Sequence, residues 1–273
     1  MEKNKNLIIE QLVLRGAICG DIIGSTYEFH STKKYDFPLN LDRAFFTDDT
    51  VCSIAVADAF LTFRPIAETV QKWCRKYPNR GYGGMFKRWI SSSEPKPYNS
   101  FGNGSAMRVS SVGALASTVE QCLDMARESA EFTHNHPEGI KGAQAVALAI
   151  FMALRGASKD EIARVIEKYF NYDLSPRYST FQPSYIFSET CQESVPEAII
   201  AFLASDDYES TVRRAVALGG DADTQAAIAG GIAAAYYGEI PEKILGACMA
   251  KLPEDMRRVI DVYDKVLNLK QEI

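Results

Sequence analysis

Apolar residues recur at intervals of three and four positions along most of the chain, which is the spacing of one face of an α-helix. The alternating apolar and polar pattern of a half-buried strand is nearly absent. The pattern therefore predicts an all-α fold of about a dozen helices. The predicted helices cover residues 7–23, 50–63, 66–77, 107–117, 119–132, 140–154, 159–170, 196–203, 208–218, 224–237, 241–252 and 254–269.

Three irregular stretches interrupt the helical pattern, at residues 30–46, 91–104 and 171–194. None has the Gly/Ser-rich or Pro-rich composition of a linker, and helices of similar composition continue on both sides. We therefore predict one domain over residues 1–273. The third stretch is rich in aromatic residues, which either hold the loop against the rest of the protein or take part in function.

Two of the predicted helices are unusually rich in small residues. They contain Gly-Ala-Gln-Ala-Val-Ala at positions 142–147 and Ala-Ala-Ile-Ala-Gly-Gly-Ile-Ala-Ala-Ala at positions 226–235. Because small side chains let helix axes approach closely, we expect both helices at the centre of the bundle.

Composition and charge limit the classes of partner. The chain has 30 Lys and Arg against 35 Asp and Glu, so its formal net charge of −5 argues against binding to nucleic acid or to an anionic membrane. Its 6 cysteines include no close pair of the kind found in redox or thiolate–metal motifs. Neither a signal-peptide pattern nor a membrane-length apolar run is present, so we expect a cytoplasmic protein.

The first of two acidic clusters is Thr-Asp-Asp-Thr at residues 47–50, directly before an apolar helix. Thr and Asp at this position are typical of a helix N-cap, because their oxygens accept hydrogen bonds from the first free amides. Taken alone, the cluster therefore needs no function beyond capping.

The second cluster is Gly-Gly-Asp-Ala-Asp-Thr at residues 219–224, at the start of the small-residue helix. Capping needs one oxygen, whereas the two clusters together place four carboxylates at the starts of helices that both look internal. Carboxylates held together away from water either take up protons or share a cation. Carboxylate and hydroxyl oxygens favour Mg²⁺ or Mn²⁺ over zinc, and we hypothesise that the clusters meet in space.

Two known acidic motifs agree less well with the sequence. The Asp-x-Asp-x-Thr motif of haloacid-dehalogenase-type phosphatases follows a buried strand, whereas residues 212–218 have the pattern of an amphipathic helix. The magnesium-binding motif of isoprenoid synthases needs a third carboxylate shortly after the acidic pair at 48–49, and none is present.

Three further segments contain candidate binding or catalytic groups. Residues 100–108 place two glycines and small polar residues ahead of a helix, which suits either an anion held by backbone amides or a simple turn. His134 and His136 lie just before a helix start at Pro137, where they are either capping or site residues. Glu28 follows the first helix, and taken alone it is a solvated loop carboxylate.

Five elements of the chain together resemble the ADP-ribosylglycohydrolase family, and they occur in the order found in that family. They are GDIIGSTYEF at 20–29, TDDT at 47–50, GNGSAMR at 102–108, THNHP at 133–137 and GGDADT at 219–224. The number and order of the elements carry the resemblance, since each alone is a weak signal.

The resemblance implies an all-α orthogonal bundle with a binuclear Mg²⁺ or Mn²⁺ site at its centre. The implied metal ligands are Thr47, Asp48, Asp49, Asp221, Asp223 and Thr224. Glu28 is implied as an additional ligand or as an acid/base group. The diphosphate of ADP-ribose would be held by the amides of Gly102, Asn103, Gly104 and Ser105, with His134 on its ribose or phosphate side. Aromatic residues of 171–194 are candidates for stacking on adenine.

The activity that the resemblance implies is metal-dependent hydrolysis of the glycosidic bond between ADP-ribose and an acceptor. The acceptor would be a modified protein side chain or a small ADP-ribosyl conjugate, and Glu28, Asp48 or Asp49 would act as acid or base. Two alternatives stay open at this point: a non-catalytic ADP-ribose-binding module of the same fold, and a phosphatase.

Overall fold

The structure is a computed structural model that describes the backbone of residues 3–271 and the side chains of residues 12–269. The first two and last two positions of the predicted domain 1–273 lie outside the described residues. In the described chain the regular structure is helical, with irregular connecting segments, a 3₁₀ turn at Gln182–Ser184 and one isolated bridge between Gly102 and Thr190. Its helices are α1 Lys3–Gly24, α2 Asp48–Thr62, α3 Ile66–Lys76, α4 Gly84–Ser91, α5 Gly104–Met107, α6 Ser110–Leu115, α7 Val119–Glu131, α8 Pro137–Leu154, α9 Lys159–Phe170, α10 Tyr178–Phe181, α11 Cys191–Leu203, α12 Tyr208–Val216, α13 Ala222–Tyr237, α14 Glu242–Met249 and α15 Glu254–Gln271.

The all-α prediction is confirmed, and three details differ from the sequence pattern. The predicted helix at 107–117 is two short helices, α5 and α6, because the chain leaves the helix at Arg108 to bury that side chain. Helix α11 begins at Cys191 rather than near Pro196, and Pro196 lies inside it, where the helix lacks the hydrogen bond that an amide at this position would give to the carbonyl of Gln192. Helices α4 and α10 were not predicted.

Helix α13 lies at the centre of the bundle, as its small residues predict. Every residue from Ala222 to Ala235 is buried. Its most extensive packing is with α1, where glycines recur every four residues, and a Cβ atom added to Gly20 would lie 2.0 Å from the carbonyl oxygen of Ala226. A Cβ on Gly24 would lie 2.4 Å from the Cα of Asp223. The glycines therefore allow α1 and α13 to touch along their backbones, which brings the end of α1 against the start of α13.

Helix α8, the second helix rich in small residues, is buried over most of its length and packs against α13. One continuous cluster of buried apolar side chains includes residues from both of these helices and from α1, α2, α7, α11 and α12. Among the described helices, none is both long enough and apolar enough to cross a bilayer.

Two of the irregular segments meet beside the start of α5. The amide of Asn103 donates to the carbonyl oxygen of Glu189 at 2.7 Å, and the amide of Cys191 donates to that of Phe101 at 2.9 Å. Segment 91–104 is therefore held against segment 171–194, and both lie next to α13 through the contacts described below.

Candidate functional site

The two acidic clusters meet at the ends of α1, α2 and α13. One oxygen each from Asp21, Asp49 and Asp223 lies within 4.8 Å of the other two. Oxygens of Glu28, Asp221 and Asp223 satisfy the same condition, so Asp223 belongs to both groups. The hydroxyl of Thr224 donates to Asp49 at 3.3 Å across a sequence separation of 175 residues. The structure therefore agrees with the hypothesis that the two acidic clusters meet in space.

The N-cap interpretation of the first cluster is correct for Thr47 only. Its side chain accepts a hydrogen bond from the amide of Asp49, while Asp48 and Asp49 are the first two residues of α2 itself. Asp49 is buried and directed at α13 rather than at its own helix end. Helix capping therefore does not explain why the Asp49 carboxylate is buried.

Asp21 is the site residue that sequence reasoning missed. It is buried near the end of α1 and accepts from the Thr47 amide at 3.0 Å, the Thr47 hydroxyl at 2.7 Å and the Thr50 amide at 3.1 Å. The hydroxyl of Thr50 is a fourth donor to it. Asp21 thus fixes the start of α2 against α1. The sequence offers one indication of this role, because Asp21 is the one charged residue in the otherwise uncharged segment 16–27.

The site contains a buried carboxylate oxygen that is short of partners. Oδ1 of Asp49 is buried without a hydrogen-bond partner, and its Oδ2 accepts from the Thr224 hydroxyl at 3.3 Å. The Thr47 hydroxyl is also 3.3 Å from Oδ2, but its one proton has a shorter contact with Asp21 at 2.7 Å. A buried carboxylate left in this condition requires a proton or a cation. The donor set of carboxylate and threonine oxygens fits Mg²⁺ or Mn²⁺.

The pKa values of the site carboxyls are all raised. Burial raises the pKa of Asp21 to about 6 and that of Asp221 to about 7. Burial, followed by the charge of Asp223, raises the pKa of Glu28 to about 8. The pKa values of Asp49 and Asp223 are raised well above their ordinary values by burial and by neighbouring carboxylates. The cluster therefore favours either protonated carboxyls or a bound cation over bare negative charge.

Asp48 stands at the edge of the cluster. It is half-buried and belongs to neither group of converging oxygens, although burial and the Asp223 charge raise its pKa well above the ordinary value. Its amide donates to the carbonyl of Arg80 at 2.7 Å, and a Cβ on Gly81 would lie 2.8 Å from its Oδ1. Because Gly81 has a φ of +102°, a side chain there would be strained, and the Asp48 carboxylate would have to move to admit it.

The glycine-containing segment contacts the acidic cluster through Asn103. The side-chain amide of Asn103 donates to Asp221 at 2.7 Å and to the hydroxyl of Ser194 at 3.1 Å. The hydroxyl of Ser105 is buried and donates to the carbonyl of Gly139 at 2.6 Å. This segment therefore lies directly beside the second acidic group.

Two backbone amides of this segment have hydrogen-bond partners within the protein. The backbone amide of Asn103 already donates to Glu189 at 2.7 Å, and the amide of Gly102 donates to the hydroxyl of Ser100 at 3.1 Å. Because each amide has a single proton, these two are engaged within the protein. Binding of the diphosphate by the amides of Gly102, Asn103, Gly104 and Ser105 remains a prediction, and the amides of Gly102 and Asn103 have partners within the protein.

His134 faces the same segment. Its side chain is buried, and a Cβ atom built on Gly104 or Gly102 would lie 3.3 or 3.5 Å from its Nε2 atom. Burial and the charge of Arg108 lower the pKa of His134 well below its ordinary value, so the imidazole is neutral at physiological pH. His136, in contrast, caps α8 by accepting from the amide of Glu138 at 3.1 Å.

The aromatic loop 171–194 covers the turn that leads into the second acidic cluster. The ring of Tyr185 lies on Gly220, where an added Cβ would be 2.5 Å from its Cε1 atom. Its hydroxyl donates to the carbonyl of Glu193 and accepts from Gln225 at 2.8 Å. The ammonium of Lys33 links this loop to the turn: it donates to the carbonyls of Gln182 and Tyr185 in the loop and to that of Leu218 just before the turn. The prediction that aromatic residues of this loop stack on adenine remains untested.

The chain is similar to known proteins over nearly its whole length. A family model described as ADP-ribosylglycohydrolase matches residues 12–272. The chain belongs to the ADP-ribosylglycohydrolase family. Human ADP-ribosylhydrolase ARH3 is 28% identical to it, in an alignment that covers 86% of this chain and 87% of the human protein. The ADP-ribosyl-[dinitrogen reductase] glycohydrolase of Rhodospirillum rubrum is 26% identical, with 90% and 92% covered.

A solved structure gives the same result for the fold. This structure, described as an ADP-ribosylglycohydrolase-related protein complex, superposes on the chain with a TM-score of 0.73 at 25% identity, covering 96% of this chain and 99% of the other. The predictions of family, all-α fold and enzyme class are confirmed. The individual roles predicted for Glu28, Asp48, Asp49 and His134 remain predictions.

Proposed function

We propose that this ADP-ribosylglycohydrolase-family chain cleaves the glycosidic bond between ADP-ribose and an acceptor with Mg²⁺ or Mn²⁺ in its acidic centre, releasing ADP-ribose. The observation that carries the proposal is the convergence of Asp49 and Asp223, from two distant helix starts, around a buried carboxylate oxygen without a partner. The enzymes named among its relatives act on ADP-ribosyl groups, which supports the substrate class.

The residues that would hold a binuclear centre come from three elements. Asp49, Asp223 and Thr224 would bind one ion, and Asp221 and Asp223 would bind the other, with Thr47 and Asp48 at the edge of the set and Glu28 beside it. Asp21 would orient the ligands, because its oxygens are occupied by Thr47 and Thr50. When bound, the cations supply positive charge that aligns the vicinal hydroxyls of a ribose.

Glu28 is the strongest candidate for the acid/base group. It is half-buried, whereas Asp49 lies fully inside the protein, so the Glu28 carboxyl is the more accessible to a substrate. Burial, the largest cause, raises its pKa, which favours a protonated carboxyl at this position. In this role Glu28 would give that proton to the leaving acceptor, while the remaining carboxylates stabilise positive charge that develops on the sugar.

The ADP portion of the substrate would extend from the cluster along the Asn103 segment. Asn103 joins the acidic centre to residues 104–105, whose amides and the neighbouring His134 provide neutral donors for a diphosphate. Arg108 is buried directly behind this segment, with 1% of its surface exposed, and it supplies the local positive potential that an acidic protein needs there. The partner would be an ADP-ribosylated protein or a small ADP-ribosyl conjugate.

The test is release of free ADP-ribose, followed by mass spectrometry, from arginine- and serine-linked ADP-ribosyl peptides. We expect release from at least one peptide with Mg²⁺ or Mn²⁺, and none after chelation with EDTA. Glu28→Gln should lose at least about a hundredfold in rate, the usual contribution of a general acid. Asp124→Asn, an exposed aspartate on α7, is the matched control and should keep the wild-type rate.

Two results would contradict the proposal. Undiminished release in EDTA would remove the metal from the mechanism. ADP-ribose binding without turnover of either peptide would favour the binding module instead.

A further inference from the structure

Arg108 is a buried cation with an unusual set of partners. Its Nε donates to the carbonyl of Ser129 at 2.9 Å, and its Nη2 donates to the carbonyl of Ala130 at 3.3 Å, both at the end of α7. Nη2 also donates to the hydroxyl of Thr133 at 2.9 Å, and the guanidinium lies 4.3 Å from the ring centre of Phe132. No salt bridge within the described chain involves Arg108. Capping α7 explains the carbonyl contacts but not the contact with Thr133.

The contact with Thr133 determines where the hydroxyl proton goes. Because Oγ1 of Thr133 accepts from the guanidinium, its own proton must be donated elsewhere. Two acceptors are near: Nδ1 of His134 at 2.8 Å and the carbonyl oxygen of Ala130 at 3.5 Å. That carbonyl already accepts from the amides of Thr133 and His134 and from Arg108. The shorter and less crowded contact, with Nδ1, is therefore the one that the hydroxyl makes.

This hydrogen bond fixes the imidazole. A nitrogen that accepts a hydrogen bond carries no proton, so neutral His134 has its proton on Nε2. Nε2 is the atom that faces the backbone of Gly102 and Gly104. Both glycines lack the side chain that would cover it, which leaves the N–H directed into the space beside this segment.

We infer that Arg108 and Thr133 are positioning residues that hold His134 as the neutral Nε2–H tautomer, so that it donates a hydrogen bond to a phosphate or ribose oxygen of ADP-ribose. The order of donation is Arg108 to Thr133, Thr133 to His134, and His134 to the ligand. The first two steps rest on the structure alone. The last step rests on the proposed function.

The inference has a direct chemical consequence. In the opposite tautomer, Nε2 would present a lone pair to a negatively charged oxygen, which replaces an attraction with a repulsion. Loss of one hydrogen bond to a charged group weakens binding by roughly tenfold or more. The hydroxyl of Thr133 should therefore affect ligand affinity although it faces the imidazole rather than the ligand.

The tautomer is measurable by long-range ¹H–¹⁵N NMR of the histidine side chains. The chain has only 3 histidines, so a His134→Asn variant assigns the signal. We expect wild-type protein without ligand to show the Nε2–H pattern at pH 7. Thr133→Val, which keeps the shape but removes the hydroxyl, should give a mixture or the opposite tautomer, and Thr133→Ser should restore the wild-type pattern. An Nδ1–H or charged imidazole in wild type would overturn the inference even if Thr133→Val does not fold.

The ligand step is tested by calorimetric titration with ADP-ribose in Mg²⁺. We expect Thr133→Val to raise Kd about tenfold and Thr133→Ser to stay within about twofold of wild type, at unchanged circular dichroism. A changed tautomer with an unchanged Kd would overturn the ligand step. Wild-type protein that shows the Nε2–H pattern but binds no ADP-ribose would overturn the proposed function and leave the Arg108–Thr133–His134 relay standing.

Discussion

Replacing Asp223 with Asn should stabilise the protein when no divalent cation is bound. Asp223 is buried and belongs to both groups of converging oxygens. Its negative charge raises the pKa values of Glu28, Asp48 and Asp49, and burial raises its own. Asn removes that charge and keeps an oxygen that can accept from the Thr224 amide, as Asp223 does at 3.0 Å.

The expected size of the effect follows from the neighbouring Asp221, which is similarly buried. Its pKa rises from 3.8 to about 7, a difference of 7 − 3.8 = 3.2, which corresponds to about 4 kcal/mol of lost folding free energy when the carboxyl is ionised. Burying a neutral amide offsets part of the gain from removing one such carboxylate. We therefore expect a net gain of about 2 kcal/mol, or roughly 4–8 °C in Tm, for Asp223→Asn at pH 8.

The pH dependence distinguishes this cause from general stabilisation. A carboxyl whose pKa is higher in the folded than in the unfolded protein binds more protons when folded, so its contribution to stability falls as pH rises between the two values. For this cluster, the pH range over which stability falls begins at the ordinary aspartate pKa of 3.8 and extends to about 7 and above. Metal-free wild type should therefore lose stability from pH 5 to pH 8, and the advantage of the variant should nearly vanish at pH 5.

The assay is thermal unfolding in EDTA at pH 5 and pH 8, with Asp124→Asn as the exposed control that should change Tm by less than about 2 °C. Added Mn²⁺ should raise the Tm of wild type at pH 8 and should have much less effect on Asp223→Asn. A lower Tm for Asp223→Asn at pH 8, or the same gain at both pH values, would refute the reasoning.

Three further predictions concern the elements that build the site. Asp49→Asn should lower ADP-ribose release by about a hundredfold or more while circular dichroism stays unchanged, because it would remove a charged ligand from the proposed metal centre. Asp21→Ala should destabilise the protein by about 3 kcal/mol in urea unfolding, since the amides and hydroxyls of Thr47 and Thr50 lose their acceptor. An effect below about 1 kcal/mol would contradict the structural role of Asp21. Gly20→Ala should lower the free energy of unfolding by at least about 3 kcal/mol, because its Cβ would lie 2.0 Å from a backbone oxygen of α13. Gly246→Ala on α14 is the control, since an added Cβ there has no atom within 4 Å, and it should be neutral or stabilising by up to about 1 kcal/mol.

The sequence predicts the fold class and the central helices well because helical periodicity and side-chain size are local properties. It fails where tertiary contacts decide the local structure. The break between α5 and α6 depends on the burial of Arg108 against residues 129–133, which no local pattern indicates. Helix α4 was missed because residues 84–91 begin with glycine and bury only three side chains.

The sequence predicts which acidic residues are candidates for the site, but it does not predict that they contact one another. The sequence indicates carboxylates at the starts of internal helices, and the chemistry of such groups suggests a cation. Their meeting depends on the close packing of α1 and α13, which the spacing of Gly16, Gly20 and Gly24 permits. Asp21 was overlooked because it lies within a helix that otherwise has an apolar, buried face. The engagement of the Gly102 and Asn103 amides depends on partners that only the folded structure brings near.

The central claim is that the two acidic clusters form one cation-binding centre. Anomalous X-ray diffraction from crystals grown with Mn²⁺ tests it most directly, because manganese is located independently of any assumed ligand set. We predict anomalous peaks within about 2.0–2.6 Å of carboxylate oxygens of Asp49, Asp223 and Asp221. Well-ordered crystals in saturating Mn²⁺ without a peak between α2 and α13 would contradict the claim.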